Sequence, residues 1–228
     1  MTPTYNEIGN LEELVASVRR QALGLHILVV DDNSPDGTGR LADELSAQTP
    51  GEVSVLHRPG KQGLAKAYVA GFRYALSAGY DVIIQMDADL SHDASYLSSM
   101  ITKLDECDLV LGSRYIDGIN VVNWDIKRLV LSKVAARYVQ LVTGMRFTDS
   151  TGGYKCWRAE ALRSIDLDGV FSNGYLFQVE MTYKALKQGF RIAEVPIIFY
   201  ERNLGNSKID LGIIVEALWG VIRLRLRS

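Results

Sequence analysis

Cysteine is scarce, with only Cys107 and Cys156 in 228 residues and no C-x-x-C spacing. That excludes a disulfide framework and a multi-cysteine zinc site, and it points to reduced, packed thiols in a reducing compartment. An excess of one charge is also missing. Lys and Arg number 25 against 27 Asp and Glu, a formal net charge of −2, with no long block of like charge. Nothing therefore pulls the chain toward nucleic acid, and none is expected as a partner. No apolar run reaches the roughly 18 residues of a membrane-spanning helix. The opening MTPTYNEIGN has neither the charged nor the apolar region of a secretory signal. A soluble or peripheral protein facing the cytosol is the expectation. Repeats, low-complexity tracts and interdomain linkers are likewise lacking.

What is present is a chain 47% hydrophobic, long enough to bury about 70% of its unfolded surface in one core. LHILVV (25–30), DVIIQM (81–86) and DLVLGSRY (108–115) read as strands buried on both faces. EVSVLHR (52–58) alternates, as a half-exposed strand does. Segments 10–22, 38–47 and 64–78 carry apolar residues at helical spacing, the last ending at Gly79. Strands separated by helices predict an α/β fold with a mixed, mostly parallel sheet flanked by helices. Beyond Tyr115, residues 125–142 predict a basic amphipathic helix and TDSTGGYKCW (148–157) a loop. FSNGYLFQVEMTYKALKQG (171–189) predicts a helix. RIAEVPIIFYER (191–202) predicts a strand, its Pro196 favouring an edge or terminal position.

In such sheets ligands collect at the carboxyl ends of the strands. Acids stand there: Asp31 and Asp32 after the first apolar run, Asp87 and Asp89 after the third. Alternate residues of an extended segment share a face about 6.5–7 Å apart. One carboxylate of Asp87-Ala88-Asp89 can then reach a cation and the other a ligand, or both can share the ion. Mg²⁺ is typically held by one or two carboxylates and completed by substrate phosphates. Turn or helix-capping acids are the structural alternative for an isolated Asp-x-Asp. A Mg²⁺-binding receiver-type signalling domain also pairs acids after a strand. Here some 25 residues precede the first strand, no strand-ending Lys-Pro follows, and about 100 residues would be left over.

PTYNE (3–7), VVDDNSPDGT (29–38), MDADLSHD (86–93) and GSRY (112–115) occur in that order, followed by NWDIKR, TDSTGGYKCW, NGYLFQVEM and YERNLGNSK. Together they resemble the inverting nucleotide-sugar glycosyltransferases of GT-A fold, and more narrowly the dolichyl-phosphate (polyprenyl-phosphate) mannose synthases, over residues 3–208. The resemblance implies a catalytic domain over 1–208, with 1–118 mainly the nucleotide-sugar half and 119–208 mainly the acceptor half. A C-terminal amphipathic helix would occupy 209–228. The strand that precedes PTYNE in the family is expected to be missing or cut short. The implied reaction moves mannose from GDP-mannose to dolichyl or polyprenyl phosphate with inversion. Glucosyl or other glycosyl transfer from a UDP-sugar is the near alternative. Nucleotidyl transfer is a further enzyme reading, and a non-catalytic nucleotide-sugar-binding subunit the non-enzyme one.

By resemblance, Pro3, Tyr5, Glu7, Val30 and Asp32 hold the nucleotide, joined by Asp87, Ala88 and Asp89 and by Arg202 and Lys208 from a closing loop. Asp89, with Asp87 and Ser91, is expected to hold Mg²⁺ or Mn²⁺. Arg114, Arg128 and Ser132 are expected on the acceptor phosphate, with Asp89, Arg114 and Arg128 carrying catalysis. Guanidinium groups suit a phosphate because they bind it through paired hydrogen bonds. No general base is expected, because a phosphate monoester is largely ionised near neutrality. Lys61 is a candidate diphosphate contact. Glu180 and His92 read as packed residues, Lys133 and Arg137 as surface charge. Ile213, Ile214, Leu218, Trp219, Val221 and Ile222, followed by Arg223, Arg225 and Arg227, fit either an interfacial helix or a last core helix with a basic end. A lipid acceptor implies the cytoplasmic face of a membrane, reached directly or through a separate integral-membrane subunit.

Overall fold

The computed structural model describes residues 1–201 and 211–226, with side chains described through 201 and from 218 to 226. The chain runs β1 (Thr2–Thr4), α1 (Ile8–Arg20), β2 (Ile27–Asp31), α2 (Thr38–Gln48), β3 (Val53–His57), α3 (Leu64–Ser77) and β4 (Val82–Gln85). A short 3₁₀ turn (Ala94–Tyr96) leads into α4 (Leu97–Lys103), then β5 (Leu109–Ser113), β6 (Val121–Val122) and α5 (Ile126–Thr143). The last part comprises β7 (Lys155–Arg158), α6 (Ala159–Ser164), α7 (Gly174–Lys187), β8 (Ile192–Pro196), β9 (Phe199–Tyr200) and α8 (Leu211–Leu226).

Strands β1, β2 and β3 pair in parallel, in that order. A second sheet has the order β4-β7-β5-β8, with β7 antiparallel to both neighbours and β8 parallel to β5. The two sheets meet at the first residue. The Met1 amino group donates to the Ile84 carbonyl at 2.7 Å, and Met86 N–H donates to the Met1 carbonyl at 3.2 Å. That is the bonding pattern of a parallel pair, so β1 lies between β2 and β4. Its three residues are the short first strand that was expected.

Alternate side chains feed two cores. Val110 and Cys156 join Leu11, Leu14, Leu45, Leu97 and Met100 from α1, α2 and α4. Leu109, Leu111, Ile83 and Trp157 join Tyr68, Phe72, Leu162, Phe177 and Met181 from α3, α6 and α7. Helices on both faces complete the layered α/β architecture. Cys107 and Cys156 are buried free thiols.

The structure corrects several expectations. KCWR, read as the end of a loop, is strand β7 in the middle of the second sheet. Being antiparallel, β7 starts where its neighbours end, so the 148–153 loop is delivered to the carboxyl edge of the sheet. RIAEVPIIFYER divides into β8, which forms the sheet edge and ends at Pro196, and β9, which pairs with β6. Strand β4 alternates in burial and is not covered evenly on both faces. On α8, Val221 is buried with Leu224 against Val139, Leu176, Val179 and Tyr183. Leu218, Trp219 and Ile222 are exposed.

Lys155 supplies a stability signature. Its side chain is fully buried, with Nζ donating to the Gln178 carbonyl at 2.6 Å and to Thr182 Oγ1 at 2.8 Å. Burial lowers its pKa to about 7, against about 10.4 in an unfolded chain. Between these values the unfolded chain binds more protons, so stability rises with pH across that window. Below pH 7 both states are protonated and the cost of burying the ammonium is constant. Denaturant unfolding should show stability climbing between pH 8 and 10, at up to about 1.4 kcal/mol per unit. Lys155→Met should remove that slope. An unchanged slope in the variant would assign it to another group.

Candidate active site

The nucleotide-side candidates lie at the ends of β1 and β2. Asn6 N–H donates to Ser34 Oγ at 3.1 Å, Glu7 N–H to Thr38 Oγ1 at 2.9 Å and Ile8 N–H to Asp36 Oδ2 at 3.1 Å. These bonds tie the PTYNE loop to the DDNSPDGT loop. Thr4 Oγ1 and Ser34 both donate to Asp31, which thereby braces the turn. Asp32 is ion-paired with Arg58, both side chains nearly buried. Burial raises the Asp32 carboxyl above its ordinary range, opposed by the Arg58 charge. Lys61 Nζ stands 4.2 Å from the centre of the Tyr5 ring, a cation–π contact at the loop mouth. Pro3 sits on β1 opposite Val30. The Val30 and Ala88 side chains are buried in the core, so any ligand contact they make runs through the backbone.

Asp87 and Asp89 follow β4 at the same edge. Asp87 Oδ1 accepts from the Tyr68 hydroxyl at 2.7 Å. Burial first, then the Asp87 charge, holds Tyr68 well above its usual pKa, so it remains a donor. Gly153 packs closely here: a Cβ at that position would lie 3.1 Å from Asp87 Oδ2 and would push on the carboxylate. Asp89 Oδ1 accepts from Ser91 N–H at 3.1 Å and Ser91 Oγ at 2.6 Å. The Ser91 hydroxyl is thus engaged with Asp89. Asp87 forms no ion pair among the described residues. His92 is buried, its Nδ1 accepting from Asp87 N–H at 3.1 Å and its ring stacked 4.8 Å from Tyr154. Burial lowers the His92 pKa, and with Nδ1 occupied as acceptor the proton of the neutral ring lies on Nε2.

Beyond Asp87 a groove of about 220 Å³ opens between α5, α7 and α8. One end is polar, lined by Asp87, His92, Arg114, Trp124, Arg128 and Ser132. The rest is apolar, walled by Leu131, Ala135, Val139, Leu176, Val179 and Val221. Arg114 is buried against Asp149 in a bidentate pair, Nε–Oδ2 at 2.6 Å and Nη2–Oδ1 at 2.7 Å. Arg114 N–H also reaches Asp149 Oδ2 at 3.1 Å. Burial disfavours both charges, yet the mutual attraction outweighs it: Asp149 is held below the usual carboxylate range and Arg114 above its ordinary value. Glu194 accepts from the Thr148 and Asp149 N–H groups and from Thr148 Oγ1, fixing the loop from behind.

Arg128 lies on the first turn of α5, whose N-terminus is capped by Asp125 accepting from Lys127 N–H at 3.2 Å. Its Nη1 meets Glu201 at 2.8 Å. Ser132, one turn on, accepts from the Tyr115 hydroxyl at 2.7 Å, which leaves its own O–H to donate.

Among the expected residues, Asp87, Arg114, Arg128 and Ser132 therefore share one groove, while Pro3, Tyr5, Glu7 and Asp32 gather on the other side of the two aspartates. Arg202 and Lys208 lie outside the described residues. Glu180 is fully buried, paired with Lys184 at 3.0 Å and bonded to Ser172, a structural arrangement. Lys133 and Arg137 are surface residues, Lys133 Nζ lying 5.0 Å from the Tyr115 ring centre. Sequence reading assigned no role to Tyr68, Trp124 or Asp149. Asp149 had one signal, its place in TDSTGG, but nothing in the spacing tied it to Arg114.

Comparison with known proteins identifies the family and the fold. Residues 1–166 match the model of glycosyl transferase family 2. The chain is 48% identical over 227 residues to a polyprenol monophosphomannose synthase of Mycolicibacterium smegmatis, covering 99% of this chain and 86% of that protein. It is 47% identical over 221 residues to an undecaprenyl-phosphate mannosyltransferase of Micrococcus luteus, covering 97% and 90%. In fold it resembles glucosyl-3-phosphoglycerate synthase of Mycobacterium tuberculosis, whose crystal structure holds Mn²⁺ and UDP-glucose. That likeness has a TM-score of 0.68 at 18% identity and covers 99% of this chain and 76% of the other. A receiver domain is excluded by these matches and by the antiparallel strand at the centre of the second sheet. The chain belongs to glycosyl transferase family 2 and has the GT-A architecture.

Proposed function

We propose that the protein transfers mannose from GDP-mannose to a polyprenyl phosphate with inversion at the anomeric carbon. One observation carries the acceptor class: the groove joins a cationic, hydroxyl-bearing end to apolar walls beside the Asp87 carboxylate. A phosphate with a hydrocarbon tail matches both halves, and neither a free sugar nor a free nucleotide does. The sugar follows from two relatives at 47–48% identity that are named for mannosyl transfer to such lipids.

Asp87 and Asp89 offer carboxylate oxygens, the donors that Mg²⁺ and Mn²⁺ prefer. Among the described residues no group of three His, Cys, Asp or Glu gathers around a common point, so the diphosphate and water would complete the ion's shell. When bound, the ion supplies charge neutralisation for the departing diphosphate. The chain's own residues do the rest. Pro3, Tyr5, Glu7 and Asp32 orient the nucleotide; Arg202 and Lys208, assigned to it by resemblance, lie outside the described residues. Arg114, Arg128 and Ser132 hold the acceptor phosphate in line with the anomeric carbon, so that positioning replaces a general base. On this reading residues 1–118 form mainly the donor half, with Arg114 reaching the acceptor, and 119–208 mainly the acceptor half. Incubation with GDP-mannose and UDP-glucose in equal amounts tests the sugar. Mannosyl lipid is expected in at least tenfold excess, and predominant glucosyl lipid would overturn the assignment.

The acceptor places the enzyme at the cytoplasmic face of a membrane. No helix of the described residues is long and apolar enough to cross one. Instead, α5 exposes Ile126, Val130, Val134 and Leu141, and α8 exposes Leu218, Trp219, Ile222 and Leu226. Lys127, Lys133, Arg137, Arg223 and Arg225 accompany them. Apolar side chains among basic ones suit an interfacial surface on anionic lipid. Val130→Glu/Trp219→Glu should weaken sedimentation with anionic vesicles about tenfold, leaving the KM for a detergent-soluble short-chain acceptor unchanged. If the wild-type chain ignores such vesicles, this surface is not the membrane contact.

A further inference from the structure

Trp124 is the groove residue whose chemistry the account above leaves unused. Its ring lies 4.3 Å from the Arg128 guanidinium and 5.3 Å from that of Arg114, with Phe199 edge-on at 5.5 Å. The Arg128 guanidinium thus rests on the indole, while that of Arg114 lies about equally near the Trp124, Tyr115 and Phe199 rings, at 5.3, 5.3 and 5.4 Å. The indole is fixed from both sides. Asn123 takes a left-handed φ of 63° immediately after β6, and Asp125 immediately caps α5. A non-glycine residue in that backbone region is uncommon, and asparagine tolerates it better than most. The Trp124 Nε1–H is shielded from solvent and meets no acceptor among the described residues. Buried N–H groups are almost always bonded, and this one stands in the wall of a groove whose polar end is built for an anion.

We propose that Trp124 is a further positioning residue for the acceptor, its indole face holding the Arg128 guanidinium and its Nε1–H donating to the acceptor phosphate. This inference rests on the lipid-phosphate reading of the groove. The arginines supply charge, yet each also serves a carboxylate, Asp149 for Arg114 and Glu201 for Arg128. A neutral donor on a rigid ring adds direction without adding another charge to be paired. Indole donates only, so the site favours a group rich in acceptor oxygens, as a phosphate monoester is.

The test separates the two contributions. Trp124→Phe keeps an aromatic face and removes the N–H, whereas Trp124→Leu removes both. Binding of a short-chain polyprenyl monophosphate to the purified full chain would be measured by calorimetry, beside the matching polyprenol without phosphate. Steady-state kinetics would give both substrate KM values. Trp124→Phe should weaken monophosphate binding about tenfold, the scale of one hydrogen bond to a charged oxygen. Trp124→Leu should weaken it further, while polyprenol binding and the GDP-mannose KM stay within about twofold in Trp124→Phe. Monophosphate affinity within twofold of wild type in Trp124→Phe would overturn the donor role. Equal losses for monophosphate and polyprenol would overturn it too, showing that the indole serves the tail. Should Trp124→Leu fail to fold, Trp124→Phe decides alone. A wild-type chain that binds the alcohol as tightly as the monophosphate would sink the lipid-phosphate reading itself, and this inference with it.

Discussion

Asp89→Asn is expected to lower the turnover of mannosyl transfer by about a hundred- to a thousandfold, the scale seen when one electrostatic stabiliser of a leaving group is removed. Asparagine is the informative replacement because its Oδ1 can still accept from Ser91 N–H and Oγ, the two bonds Asp89 makes at 3.1 and 2.6 Å. The turn after β4 should therefore persist, and the thermal midpoint should move little. What is lost is the charge proposed to face a divalent ion and the diphosphate. Asp89→Ala should cost at least as much activity and some stability as well, since the Ser91 bonds go with it. Activity within tenfold of wild type in Asp89→Asn would remove this carboxylate from the chemistry. The same pair of variants addresses the non-enzyme alternative, because a binding subunit has no turnover to lose.

Asp149→Ala is expected to destabilise the fold by about 3–5 kcal/mol, the cost of leaving a buried partner charge uncompensated. Arg114 is the charge left behind. Its side chain is buried, and Asp149 receives its Nε, Nη2 and backbone N–H. Thr151 Oγ1, at 3.0 Å from Nη2, is the other side-chain hydrogen-bond partner among the described residues and carries no charge. The effect on chemistry should differ from the effect on stability. Replacing both partners, Arg114→Met with Asp149→Leu, removes the unpaired charge and should recover most of the lost stability. It should recover no activity, because the guanidinium at the acceptor end of the groove is gone. Chemical denaturation and transfer rates on Arg114→Met, Asp149→Leu and the double variant form the cycle. If the double variant regained activity, Arg114 would be a structural ion-pair partner and nothing more.

Much of the fold was legible because its long elements repeat one pattern. Buried runs at 25–30 and 108–115 and helical spacing at 10–22, 38–47 and 64–78 all became elements within a few residues of their expected ends. The failures share a physical cause. Strand β7 has four residues, two of them Lys155 and Arg158, and follows a glycine pair. Its strand character comes from pairing with β4 and β5 and from Trp157 filling the core, none of which is local. α4 is only seven residues long, too short for its periodicity to stand out. The site followed the same rule. Acids at the ends of parallel strands could be read directly, whereas Arg114 and Arg128 were pointed to by the family resemblance. The partners that hold them could not be read. Tyr68 and Asp87 are 19 residues apart, Arg114 and Asp149 are 35 apart, and Arg128 and Glu201 are 73 apart. Trp124 sits in the NWDIKR segment, but only the folded chain sets it between two guanidinium groups.

The central claim is that the two aspartates and the amphipathic groove together move a mannosyl group onto a lipid phosphate. The most direct measurement uses purified protein, radiolabelled GDP-mannose and a short-chain polyprenyl phosphate, counting label in the organic phase with Mg²⁺ and again with excess chelator. Metal-dependent, organic-soluble label that requires the lipid's phosphate, in a product of inverted anomeric configuration, is the predicted result. Label that forms equally well with chelator, or a product that retains the donor's configuration, would contradict the account.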